Sequence, residues 1–195
     1  VVGIDYDKTG TSTWTGFDFL KPGTPFEFYS IGVNGAWQAA GYDSGNNFGA
    51  TTTDTSAGSV FSAMTTFAYG DLTGVQTMSF ASGAGTISFN VVLTNSGSTA
   101  LDVVYARGLD PDQDVYAGGG YPTTNIIVNP DLVTGSAPIT DWTIGIFSNS
   151  SFAHVPGVSA PWSQDPYNLL TGPNDGFGDY TINMAWDLGT LAPGA

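Results

Sequence analysis

Apolar and polar positions alternate along most of this chain, and a helical period is almost absent. The alternation predicts β-strands with one face buried. It is clearest at 85–94, where Ile87, Phe89, Val91 and Leu93 share one face, and it recurs at 101–105 and 180–188. Weaker strand candidates are 14–20, 26–33, 60–69, 75–80 and 139–147, and 59–66 also fits a short helix.

Polar, glycine-bearing connections separate these strands, as in antiparallel sheets. The connection 95–100 reads as a hairpin loop between the first two clear strands. We therefore predict an all-β fold, an antiparallel β-sandwich with long Asp/Gly-rich calcium-binding loops, forming a single domain over 1–195. The segment 148–178 has four prolines and no strand pattern, and we expect an ordered excursion over one end of the sandwich.

The large excess of acidic over basic residues argues against some classes of binding partner. The net charge is −14 with only three basic residues, which argues against a nucleic-acid partner because neutralising phosphates needs Lys and Arg. Sixteen of the 17 acidic residues are Asp, the shorter acid that suits turns and tight metal loops. There is no cysteine, so neither disulfides nor thiolate metal sites exist.

The strongest chemical signal is the run of alternate carboxylates Asp110, Asp112 and Asp114, followed by Gly118–Gly120. Carboxylates this close repel one another unless a cation lies between them, and Ca2+ prefers about six to eight oxygen ligands on flexible loops. The glycines permit positive φ and close approach of another molecule. The spacing is not that of an EF-hand, since Val115 and Tyr121 stand where that loop has Gly and Glu.

Further acidic clusters predict several bound Ca2+ ions rather than one. Each combines carboxylates with nearby glycines or amide side chains, as calcium loops do. The additional candidate metal ligands are Asp5, Asp7, Asp43, Asp175 and Asp179.

Aromatic residues in predicted loops suggest a recognition surface. Tyr116, Tyr121 and Trp162 stand in loops, and aromatic rings beside a cation stack on sugars or receive peptide side chains. We expect them to bind ligand together with Gly118, Gly119 and Gly120. Catalysis has little support, because His154 is the only histidine and no residue pattern activates a nucleophile, so we expect a protein that is not an enzyme.

No apolar run is long enough for a membrane helix, so we expect no membrane insertion. The low lysine content, the absence of cysteine and the Ser/Thr/Gly/Asn richness favour an extracellular protein of a bacterial cell surface. Because the chain opens at Val1 without a signal peptide, we expect a monomeric module of a longer chain.

The run Arg107–Gly120 and the stretch Thr94–Val104 resemble segments of the ligand-binding modules near the C-terminus of giant bacterial RTX adhesins, more narrowly their calcium-dependent peptide-binding domain. The resemblance implies cell adhesion and biofilm formation. It implies an exposed loop Ca2+ that coordinates the C-terminal carboxylate of a partner protein, with further buried Ca2+ ions holding the fold. Asp110, Asp112 and Asp114 would hold ions, and Gly118–Gly120 would line the carboxylate pocket.

Three hypotheses follow. The first is a Ca2+-dependent adhesion module that binds peptide or protein C-termini on a target cell. The second is a Ca2+-dependent lectin, in which sugar hydroxyls fill the open coordination positions. The third is a structural spacer rigidified by Ca2+, against which the glycine run and loop aromatics count. We favour the first because the resemblance is to a peptide-binding module.

Overall fold

The computed structural model describes residues 18–20, 26–41 and 47–195, and within them the chain is almost entirely β-structure. Its strands form three antiparallel sheets, which confirms the predicted all-β, antiparallel fold class, while calcium binding by its loops stays a prediction. In chain order the strands are β1 Glu27–Val33, β2 Ala36–Gly41, β3 Ala50–Asp54, β4 Val60–Tyr69, β5 Leu72–Ala81, β6 Ser88–Asn95, β7 Leu101–Leu109, β8 Thr123–Asn129, β9 Leu132–Ser136, β10 Thr143–Phe147, β11 Ala153–Ser159, β12 Phe177–Gly178 and β13 Thr181–Leu191.

The described residues fall into two compact units. Of the described residues, unit 1 contains 18–20, 26–41, Asn47 and Asp102–Gly189, and unit 2 contains Phe48–Leu101 and Thr190–Ala195. The single domain over 1–195 stays a prediction.

Two sheets of unit 1 face each other across an apolar core. One has the strand order β11-β13-β7-β1-β2 and the other β10-β9-β8-β12. Between them lie Leu109 of β7, Val133 of β9, Ile146 of β10, and Ile182 and Met184 of β13, all buried. Inward positions at every second residue of several strands create this core, as the alternation predicted.

The five-stranded sheet is also covered on its opposite face. The four-residue helix α1 (Pro166–Leu169) brings Leu169 against Phe28, Ala106 and Ala185, all buried. Strand β13 is therefore buried on both faces along its first half, since Ile182 and Ala185 face opposite sides. The segment 148–178, predicted to lack strands, contains β11, α1 and β12, so this prediction is wrong in its detail.

Unit 2 is built on a four-stranded meander in the order β3-β4-β5-β6. Residues 59–66 enter β4 and are not helical. The predicted hairpin at 95–100 is wrong, because β6 and β7 belong to different sheets. Asn95 ends β6 instead: it is buried, and its Nδ2 donates to the carbonyl oxygens of Thr99 and Leu191 at 2.7 and 3.0 Å.

The described part of the chain contains no helix long and apolar enough to cross a membrane. Most of the weak strand candidate 14–20 lies outside the described residues.

The packing of unit 2 can be tested at Gly74. A Cβ at this position would lie 2.1 Å from Cζ of Phe67, a buried side chain, so the ring would have to move. We expect Gly74→Ala to lower the free energy of unfolding by about 1–3 kcal/mol, as overpacking does. Chemical denaturation measures the change. The matched control is Gly49→Ala, where a Cβ meets nothing within 4 Å; equal stability of the two variants would contradict the packing described.

Candidate functional site: a buried carboxylate cluster

Two carboxylates stand where β7 leaves the five-stranded sheet. The amide of Asp110 donates to the carbonyl oxygen of Phe26 at 2.9 Å, and that of Asp112 donates to the carbonyl oxygen of Phe19 at 2.9 Å. Both acceptor residues are buried, so this loop is tied to the core by its own backbone. The side chains of Asp110 and Asp112 are each only 1% exposed.

A third carboxylate joins them from the other side. Asp179 precedes β13, the sheet neighbour of β7, so the end of one strand meets the start of the other. Carboxylate oxygens of Asp110, Asp112 and Asp179 all lie within 4.8 Å of one another, and we call this group the Asp cluster. Asp179 is exposed, so the Asp cluster has two buried members and one facing solvent.

The buried oxygens of the Asp cluster have no donor within the described ranges. Both carboxylate oxygens of Asp110 and Oδ1 of Asp112 are buried without a hydrogen-bond partner. A buried carboxylate is costly unless it is paired, hydrogen-bonded or bound to a metal. Arg107, the basic residue nearest in sequence, instead pairs with Glu27.

Burial and mutual repulsion disfavour the charged forms of the three carboxyl groups in the Asp cluster. Burial, followed by repulsion from Asp179, raises the pKa of Asp110 to about 8. Burial, followed by repulsion from Asp110 and Asp179, raises the pKa of Asp112 to about 8. Burial also raises the pKa of Asp179. The Asp cluster therefore takes up either protons or a cation at neutral pH.

The donor set of the Asp cluster selects a class of cation. All three side chains are carboxylates, without the nitrogen or sulfur donors that Zn2+ prefers. Hard oxygen donors suit Ca2+ or Mg2+, and a ligand exposed to solvent leaves room for water or a further oxygen ligand. The orphaned oxygens of Asp110 and Asp112 thus fit a divalent cation.

Asp114 was predicted to ligate beside Asp110 and Asp112, but it is not a member of the Asp cluster. Its Oδ2 accepts from the amide of Ile139 at 2.6 Å, and its Oδ1 accepts from the amide and Oγ1 of Thr140 at 3.0 and 2.7 Å. These bonds hold the loop 137–141 against the glycine run.

The glycines 118–120 meet local steric demands. Gly118 and Gly120 have φ of 82° and 77°, which strain any residue with a side chain. A Cβ on Gly119 would lie 2.7 Å from the Cβ of Asp114. The flanking Tyr116 and Tyr121 are 48% and 44% exposed, so both residues are accessible to solvent beside this run.

The segment Gly176–Asp179, here called the strap, carries the exposed carboxylate. It is anchored through β12, whose Gly178 pairs with Thr123 of β8, two residues after Tyr121. Nδ2 of Asn125 also donates to the carbonyl oxygen of Gly176 at 2.9 Å. Pairing with β8 thus brings the strap to the chain that continues from the glycine run.

Trp162 holds the strap from the opposite direction. Its Nε1 donates to the carbonyl oxygen of Asp179 at 3.2 Å, and its ring lies 5.3 Å from the ring of Phe26. Sequence reasoning placed Trp162 at a ligand surface but missed these contacts, and it did not single out Asn125. Both act through backbone carbonyls, which leave no signature in side-chain spacing.

The other candidate ligands lie elsewhere. Oδ2 of Asp175 accepts from the amide of Ala160 at 2.8 Å, which fastens the strap's leading end to the loop after β11. Asp5, Asp7 and Asp43 lie outside the described residues.

No protein-family model matches the chain, and no curated protein matches its sequence. The resemblance to RTX adhesins stays a prediction.

The raised pKa values predict how stability depends on pH when divalent cations are removed. Asp110 and Asp112 bind protons more tightly in the folded protein, with pKa about 8 against 3.8 for the free group. Their favourable contribution is full below pH about 4 and is lost as the pH rises towards 8, because the unfolded chain then releases protons that the folded state keeps. We expect the melting temperature in chelator to fall across this window.

Asp112→Asn is the control, since it removes one of these charges and should flatten the fall. Scanning calorimetry from pH 4 to 8 with chelator measures both proteins. A melting temperature that rises steadily over this window in the unsubstituted protein would contradict the electrostatics of the Asp cluster.

A second prediction separates Asp112 from Asp114. We expect Asp112→Asn to weaken Ca2+ binding by more than about 100-fold, the upper end of what changes outside the ligand shell cost. Asp114→Asn should leave the affinity unchanged and lower the melting temperature with and without Ca2+, since it weakens three hydrogen bonds to Ile139 and Thr140. Isothermal titration calorimetry and melting curves measure the pair. Loss of Ca2+ binding in Asp114→Asn would restore Asp114 as a ligand.

Proposed function

We propose that this chain is a Ca2+-dependent adhesion module whose Asp cluster holds a divalent cation and presents it to a ligand. The observation that carries the proposal is the burial of Asp110 and Asp112 with orphaned carboxylate oxygens, beside the exposed Asp179. A structural cation is enclosed by protein ligands, whereas a recognition cation keeps one side open. The exposure of Asp179 favours the second arrangement.

The ligand we propose is the free C-terminal carboxylate of a peptide or protein on a target cell. Such a group offers two oxygens to a partly open Ca2+, and the cation cancels the repulsion that a chain of net charge −14 exerts on an anion. Strap pairing brings the chain after Tyr121 next to Gly178, the residue before Asp179. The exposed rings of Tyr116 and Tyr121 offer apolar surface for the side chains of the bound peptide.

The resemblance to RTX adhesins supports the setting of the proposal: a module of an extracellular bacterial surface protein with several Ca2+ ions. Extracellular Ca2+ is plentiful enough to fill sites with dissociation constants of about 10⁻⁴–10⁻³ M, which is typical of extracellular modules. Asp175, Asp5, Asp7 and Asp43 remain candidate ligands for further ions.

The proposal is tested with peptides that end in a free carboxylate and with the same peptides amidated. We expect the free peptides to bind in millimolar Ca2+ and to lose binding in chelator, because the carboxylate enters the open side of the cation. Amidation should remove binding, and so should Asp179→Asn, while the fold stays intact. Calorimetry measures affinity and circular dichroism reports the fold.

Three outcomes would contradict the proposal. Equal binding of amidated peptides would exclude the carboxylate mechanism. Binding on a glycan array without peptide binding would favour the lectin. Ca2+ binding without any ligand would leave the rigidified spacer.

A further inference from the structure

Trp162 lies between the two chain segments that supply the Asp cluster. On one side its Nε1 donates to the carbonyl oxygen of Asp179 at 3.2 Å. On the other its ring packs against Phe26, with centroids 5.3 Å apart and an interplanar angle of 44°. The carbonyl oxygen of Phe26 in turn accepts from the amide of Asp110 at 2.9 Å. The side chain of Trp162 therefore contacts the backbone of Asp179 directly and the backbone of Asp110 through Phe26.

Asp179 needs such support more than the other ligands do. Asp110 and Asp112 are buried and fixed by backbone bonds to Phe26 and Phe19, whereas Asp179 is exposed. Without a cation, the two buried acids offer its carboxylate no attraction, and water competes for it. The strap is anchored by a strand of only two residues, so an additional contact at Asp179 itself limits how far its carboxylate can withdraw.

We propose that Trp162 is a positioning residue that sets the divalent-cation affinity of the Asp cluster by fixing Asp179 against Asp110. Residues that orient ligands from outside the coordination shell commonly change metal affinity by about 10–100-fold. The gain comes from preorganisation, since a ligand already in place does not have to be ordered when the cation binds. The inference rests on the cation site of the proposed function and not on its peptide ligand.

The test is Trp162→Phe, which keeps an aromatic ring against Phe26 and removes the N–H donor. The matched control is Trp186→Phe, because Nε1 of Trp186 donates to Oγ of Ser148 at 2.9 Å in the same unit. The probe is Ca2+ alone. Its binding is measured by calorimetry at a temperature where circular dichroism shows that both variants are folded. The relevant binding step is the one that Asp112→Asn removes.

We expect Trp162→Phe to weaken that step by about tenfold and Trp186→Phe to leave it unchanged. Both variants should lower the melting temperature in chelator, because each loses one hydrogen bond. A merely structural role of Trp162 would therefore change the melting temperature without changing the affinity. If Trp162→Phe needs Ca2+ to fold, the dependence of its melting temperature on Ca2+ concentration gives the affinity instead.

An unchanged affinity in Trp162→Phe, or an equal loss in Trp186→Phe, would overturn the inference while leaving the cation site in place. If the unsubstituted protein and Asp112→Asn bind Ca2+ identically, the proposed function itself fails at this site. The two failures are thus distinguishable.

Discussion

The structure depends on two neighbouring carboxyl groups, those of Asp110 and Asp112, that are buried with no hydrogen-bond donor for three of their oxygens. Asp110 and Asp112 are placed by backbone bonds to the core, so they cannot turn to solvent without breaking the loop that follows β7. Their charge must be met by protons or by a cation, because Arg107 pairs with Glu27 instead. The strap and Trp162 bring the carboxylate of Asp179 next to these two acids. It increases the repulsion among the three acids and, when a cation is bound, their attraction for that cation.

The sandwich of unit 1 makes this arrangement through ordinary strand pairing. In adjacent antiparallel strands the end of one lies beside the start of the next. Asp110 and Asp112 after β7 and Asp179 before β13 therefore meet at the same corner of the sheet. Strand β13 is buried on both faces where it starts beside that corner. The exposed position of Asp179 leaves the Asp cluster accessible to solvent there.

Alternation located β4 and the cores of β1, β5, β6, β7 and β13, because apolar side chains at alternate positions indicate a strand. The buried face that it also predicted is absent from β4 and β6, which are largely exposed. It missed β2, although Asn34-Gly35 forms a two-residue turn with φ of 50° and 84°, a strong hairpin signal. It missed β3 because Ala50–Asp54 is exposed on both faces. The acidic run contains two of the three acids of the Asp cluster, but Asp114 accepts hydrogen bonds from Ile139 and Thr140 instead. That Asp179 is the third acid depends on strand neighbours, which spacing along the chain does not encode.

The position of Asp179 has a consequence for the order of folding events. Five strands, β8–β12, separate Asp112 from Asp179 along the chain, so the Asp cluster forms only after β13 has paired with β7. Joining such distant segments is a late, entropically costly step. A cation bound there acts on the finished structure and not on its nucleus, so it slows unfolding far more than it speeds folding. The Ca2+ that we propose for the Asp cluster would then set how long the folded chain survives rather than how quickly it forms.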